Sequence, residues 1–230
     1  MNLSQQKLQA LLEKGQGPAA RALDKLPAFV QESIVKLLGY PYQYPQLDSF
    51  TKCLMAVQYK QGYSGFIDEN VDRSRQMFEL QMQAIRRKPT PLEFVEDIRL
   101  PLQSGTIFAR HYHPHPNKKL PMVVFYHGGG FVVGNVDTHD EACRLIAKSA
   151  NVQILSIEYP LAPEFSPKHL IQSCEDALAW VYQNRRYFKI LKNRIAVAGD
   201  SAGGNISTVV AQRTLSLIHI SEPTRQEAIS

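Results

Sequence analysis

The chain has 230 residues, 44% of them apolar and 20% charged, a balance that supports a buried core and excludes a disordered or fibrous protein. Its net charge of +5 is scattered, with Arg86, Arg87 and Lys88 as the densest basic run, and no nucleic-acid motif accompanies it. Cys53, Cys143 and Cys174 are few, odd in number and irregularly spaced, which reads as buried thiols in a reducing, cytoplasmic setting. The N-terminus lacks a basic-then-apolar signal pattern, and no apolar run approaches the roughly 18 residues of a membrane span.

Residues 1–90 read as a separate helical region. Leu3, Leu8, Leu11 and Leu12 give one short apolar face. Leu23, Leu26, Phe29, Val30, Ile34, Leu37 and Leu38 give a second, which Pro27 bends or divides. Asp48 is placed to cap a third helix through Phe50, Leu54 and Val57, and Asp68 a fourth with Val71, Phe78, Met82 and Ile85 turned inward. Pro89 and Pro91 suit a linker.

From Phe94 the period changes. Phe94 to Leu100 and Thr106 to Tyr112 alternate like strands around a turn at Gln103, Ser104 and Gly105. Met122 to Tyr126 and Val152 to Ile157 are short apolar runs fit for buried strands, and Ile195 to Ala198 is a third. Between them, 137–150 reads as a helix with Ala142, Leu145, Ile146 and Ala150 on one side. Residues 168–187 read as another, with Leu170, Ile171, Cys174, Ala177, Leu178 and Val181 inward. Strands alternating with helices imply an α/β fold with a mostly parallel sheet covered on both faces.

Two motifs carry chemistry. Gly199-Asp200-Ser201-Ala202-Gly203 follows an apolar strand and precedes a helix-compatible segment, the pattern of a nucleophile elbow that holds Ser201 clear of the sheet at a helix N-terminus. Tyr126-His127-Gly128-Gly129-Gly130-Phe131 follows another strand. A glycine-rich loop there lets backbone N–H groups turn toward a reacting carbonyl. Gly129 and Gly130 are the expected donors, with the amide of Ala202 as a third. His127 and Gly128 shape this oxyanion loop. His111, His113 and His115 alternate beside Pro114 and Pro116 and read as loop histidines, not a metal site; His139 and His169 read as packed or solvent-facing. A trypsin-like reading of the serine motif needs an all-β chain, which this pattern opposes.

Over Val95 to Thr214 the chain resembles the hormone-sensitive-lipase-like family of α/β-hydrolases. The resemblance rests on His127 to Phe131, on Glu158-Tyr159-Pro160-Leu161-Ala162-Pro163-Glu164, and on Gly199 to Asn205. It implies an α/β-hydrolase fold and hydrolysis of a small-molecule carboxylic ester through an acyl-Ser201 intermediate, with no metal or organic cofactor. It also implies a cap-like role for residues 1–90 and a partial catalytic domain over 91–214. Pro160 stands where the family commonly has arginine, so any ion pair of that arginine is lost. The alternative on the same fold is a non-catalytic small-molecule binding protein.

The triad order of such enzymes is serine, then an acid, then histidine. Downstream of Ser201 stand only Glu222, Glu227 and His219, in the wrong order, so the triad acid and base are not expected among these residues. The stretch from Leu215 to Arg225 reads like a translated sequencing-library adapter, and 215–230 is set apart from the fold on that ground.

Overall fold

The computed structural model describes residues 22–41, 46–60, 70–85 and 88–221. The chain divides into two compact units, Met1–Arg87 and Lys88–Ser230.

The first unit contains three described helices, α1 (Ala28–Leu37), α2 (Ser49–Lys60) and α3 (Val71–Ile85). Pro27 sits at the N-cap of α1 and so divides the apolar run rather than bending it. Asp48 caps α2 as expected, accepting from the Thr51 N–H at 2.9 Å. The cap of α3 is Asn70, which accepts from the Arg73 N–H at 2.9 Å. Asp68, the expected cap, and the first apolar face lie outside the described residues. The apolar residues of α1 are not all buried: Phe29 and Leu37 are exposed, while Gln31 is buried and donates to the Leu23 carbonyl at 2.8 Å. The Leu23 carbonyl, which also accepts from the Leu26 N–H at 3.1 Å, gains a second donor in this way.

The second unit is a five-stranded sheet. Its strands are β1 (Phe94–Leu102), β2 (Gly105–His113), β3 (Leu120–Tyr126), β4 (Gln153–Glu158) and β5 (Ile190–Gly199), in the spatial order β1-β2-β4-β3-β5. The parallel part is β4, β3 and β5, while β1 and β2 form an antiparallel hairpin added to one side. Among the described residues β5 is the other edge of the sheet. Helices α4 (Asp140–Ala150), α5 (Pro167–Gln183) and α6 (Ala202–Ser221) complete the unit.

Alternation along β3 divides the core between two faces. Met122, Val124 and Tyr126 pack with Leu170, Cys174, Ala177 and Val181 of α5 and with Ile206 and Val210 of α6. Phe125 points the other way, into a cluster with Tyr112, Ile154 and Cys143 and Ala147 of α4. Burying both faces is why these strands read as continuous apolar runs. Ser166 caps α5 with Pro167 at its first turn. The helix stops at Gln183, short of Tyr187, and Lys189 then takes a positive φ before β5 begins at Ile190, earlier than the apolar pattern announces.

The apolar side of α4 is not its buried side. Ala142, Leu145, Ile146 and Ala150 are exposed, and Asp140, Cys143 and Ala147 are buried. The cause is electrostatic. Asp140, only 1% exposed, accepts from Arg144 at 2.8 Å and from the Tyr112 hydroxyl at 3.0 Å, and lies 3.4 Å from Arg110. A buried charge requires such partners, so it sets the rotation of a helix whose apolar residues are few.

Burial alone would raise the Asp140 carboxyl, but Arg144, the Tyr112 hydroxyl and Arg110 outweigh it and hold the group below its ordinary 3.8. A carboxyl lowered in the folded state contributes stability above its unfolded value, and loses it as pH falls through the folded one. Urea unfolding of the chain should therefore show stability declining below about pH 4. Asp140→Asn should cost about 3 kcal/mol at neutral pH and flatten that acid decline.

Candidate active site

The site is built where β3 and β5 end. They are parallel neighbours, and the register sets Tyr126 opposite Gly199, so the loops that follow them leave the same sheet edge side by side. After Gly199 the chain turns at Asp200 and Ser201 and enters α6 at Ala202. Ser201 has φ 50°, the left-handed region that a side chain disfavours, and it is exposed. The turn is closed by the Gly203 and Gly204 amides, which donate to the Asp200 carbonyl at 2.8 and 3.3 Å. A Cβ on Gly203 would overlap the Tyr126 carbonyl, so α6 starts in backbone contact with the end of β3.

The glycine loop is equally constrained. Gly129, Gly130 and Phe131 all have positive φ, at 126°, 60° and 66°. The Gly129 carbonyl accepts from Val132 and Val133 at 3.1 and 2.9 Å, and the Phe131 carbonyl accepts from Ala162 at 2.9 Å. These bonds hold the carbonyls and leave the N–H groups of Gly129 and Gly130 without an acceptor among the described residues. The amide of Ala202, first in α6, is one that a helix leaves without an intrahelical acceptor. All three expected donors thus have an N–H to offer.

His127 is fully buried and stacks on Tyr159, with ring centroids 4.3 Å apart. Its Nδ1–H donates to the Gly128 carbonyl at 2.8 Å, and the Tyr159 hydroxyl donates to the His127 carbonyl at 2.6 Å. Burial pushes the ring down to about 4, so it is neutral at physiological pH and braces the loop. Tyr159 belongs to the motif Glu158 to Glu164, and Glu158 accepts from the Val136 amide at 2.8 Å. That motif therefore supports the glycine loop from behind.

Two contacts were not legible in the sequence. Asp200 accepts from the Gly128 N–H at 2.9 Å, and the same oxygen lies 3.3 Å from His139 Nε2. Hydrogen bonding to His139, aided by its charge and by the Gly128 amide, holds the Asp200 carboxyl below the usual range against the opposing effect of burial. His139, read as packed or solvent-facing, is a partner of the residue before Ser201. Its signal was only its position at the start of a helix.

Two of the remaining histidines need correction. His111 and His113 are not loop residues but buried ends of β2; His111 faces Gln153 at 2.9 Å, and burial pushes it down to about 4. His115 pairs with Glu93 at 2.8 Å. Among the described residues no group of histidine, cysteine and carboxylate side chains is arranged to hold a metal. A cavity of about 260 Å³ beside His111 and His113 lies at the opposite end of the sheet from Ser201.

A family described as having the alpha/beta hydrolase fold matches residues 123–223, which include both loops. The chain has the α/β-hydrolase fold. The chain is 45% identical over 119 residues to the carboxylic ester hydrolase LipN of Mycobacterium tuberculosis, covering 51% of this chain and 32% of the relative. It is 39% identical over 151 residues to the esterase LipI of the same organism, covering 64% of this chain and 46% of LipI. An esterase structure from Pyrobaculum calidifontis superposes with a TM-score of 0.63 at 40% identity, covering 65% of this chain and 49% of that one. The chain thus spans half or less of the length of these relatives. Its three motifs resemble those of the hormone-sensitive-lipase-like family.

The strain at Ser201 gives a direct test. Ser201→Gly should be more stable than Ser201→Ala by about 1 kcal/mol in chemical unfolding, because only glycine adopts the left-handed conformation freely.

Proposed function

We propose that this α/β-hydrolase chain carries the nucleophile and oxyanion hole of a carboxylic ester hydrolase. The carrying observation is the register that sets Tyr126 opposite Gly199, bringing the glycine loop beside the elbow. Ser201 Oγ attacks the ester carbonyl carbon, and its proton passes to a general base. The carbonyl oxygen becomes an oxyanion, accepted by the N–H groups of Gly129, Gly130 and Ala202. Collapse expels the alcohol and leaves an acyl-serine, which water hydrolyses to the acid and free Ser201.

The local geometry supports each assignment. The positive φ of Ser201 presents its side chain beyond the strand end. The amides of Gly129 and Gly130, without an acceptor among the described residues, belong to a loop whose backbone is already hydrogen-bonded in place, so an oxyanion would be stabilised with little reorganisation. The start of α6 adds its favourable dipole. Relatives named as carboxylic ester hydrolase and esterase support the ester as substrate class. The neutral, buried His127 braces the loop and is a poor base.

The activating acid and base are, in this reading, not among residues 1–230. A reading frame continued past Thr214 to a downstream acid and histidine should hydrolyse short-chain p-nitrophenyl esters. The 230-residue chain should be slower by about a millionfold, the cost of losing the base in a comparable triad. Ser201→Ala in the continued chain should abolish turnover. Retained turnover in that variant, or none in the continued chain itself, would sink the proposal, and the latter would favour a binding protein on the same fold.

A further inference from the structure

One carboxylate ties three separate segments together at the site. Asp200 precedes Ser201 in the elbow. Its Oδ1 accepts the N–H of Gly128 at 2.9 Å, the residue before the two proposed oxyanion donors. The same oxygen lies 3.3 Å from Nε2 of His139, at the N-cap of α4. The absence of a side chain on Gly128 makes room for this: a Cβ there would overlap Asp200 Oδ2.

His139 is itself held from behind. Its Nδ1 lies 2.9 Å from the Thr138 hydroxyl and 3.4 Å from the Asn135 carbonyl. That hydroxyl also donates to the Asn135 carbonyl at 2.8 Å and accepts from the Asn135 N–H at 2.9 Å. The ring is thus fixed on one edge by Thr138 and Asn135 and meets Asp200 on the other, on the side away from Gly128.

Two consequences follow for the oxyanion loop. The Gly128 amide is consumed, so the amides available to a reacting carbonyl begin at Gly129. With Gly128 fastened to the residue before Ser201, the peptide that carries the Gly129 N–H has its start fixed relative to the nucleophile. We propose that Asp200, held by His139, is a positioning residue that sets the Gly129 and Gly130 amides relative to Ser201. This rests on the ester-hydrolase reading for its role in catalysis, though the contact itself does not.

The Asp200 side chain is 53% exposed, against 12% for His139. An ion pair with one half-exposed member adds little to global stability. Positioning and structural roles therefore separate cleanly, because removing the carboxylate should disturb the loop and spare the fold.

The test is amide hydrogen exchange and ¹⁵N–¹H spectroscopy on the full 230-residue chain, with Asp200→Ala, Asp200→Asn and His139→Gln. In Asp200→Ala the Gly128 amide should exchange about tenfold faster or more, as expected for loss of a charge-assisted hydrogen bond. The signals of Gly128, Gly129 and Gly130 should move while those of Val123 to Phe125 and Ile206 to Val210 hold. Asp200→Asn keeps an acceptor oxygen and should restore part of the protection. His139→Gln should move the same three glycine signals in the same direction. The proposal is overturned if Gly129 and Gly130 do not respond to Asp200→Ala, or if the shifts spread across the sheet with a fall in thermal midpoint. Ester hydrolysis by the continued chain is read separately. Failure there would remove the catalytic reading and leave the glycine shifts standing, whereas unmoved glycines with intact hydrolysis would sink only the positioning role.

Discussion

The close approach of Gly203 to the carbonyl of Tyr126 is the constraint on which the site depends. It requires the first turn of α6 to lie against the last residue of β3 with no side chain between them. The strand before it must then end level with β3, which the pairing of Tyr126 with Gly199 achieves. Ser201 is left in a left-handed conformation where the chain reverses from strand to helix. Strain of roughly 1–2 kcal/mol at such a residue is tolerated because the helix and sheet on either side are each held by a buried core.

The same contact explains why the glycine loop has its shape. With Tyr126 committed to the elbow, the chain beyond it runs past Asp200, which captures the Gly128 amide. His127 is pinned between Tyr159 and its own loop, and the Tyr159 hydroxyl takes up the His127 carbonyl. The loop is thus fixed on one side by the elbow and on the other by the motif around Tyr159. On the proposed reading its amides are held in place before negative charge develops, the property that makes such a loop useful in acyl transfer.

Charge, as much as apolar area, decided the helix placement. Asp140 and its partners Arg144, Arg110 and Tyr112 turn α4 so that Leu145 and Ile146 face outward. The adjoining residue, His139, is thereby delivered to Asp200. The rotation that satisfies a buried carboxylate also places the group that steadies the elbow. A pattern of apolar positions does not register this, because the residue that governs the rotation is the polar one.

How much was legible depends on the range of the interaction. Strand β3, the elbow and the glycine loop were readable because their requirements are local: an apolar run, a tight turn, a residue without a side chain. The helix over 168–187 was readable in its inward face for the same reason, although its end was not. The buried histidines of β2 were misread because Pro114 and Pro116 suggested a loop, while His111 packs against Phe94 and Phe188, distant in sequence, and His113 against His111.

The sequence by itself determined the motifs, their order and the α/β alternation, since each depends on the steric demands of neighbouring residues. Only the tertiary structure decided that β1 and β2 join the sheet antiparallel, that α4 presents Asp140 inward, and that Asp200 bridges Gly128 and His139. Those are pairings between segments many residues apart, set by register, by burial of charge and by the geometry of hydrogen bonds. No local pattern encodes them.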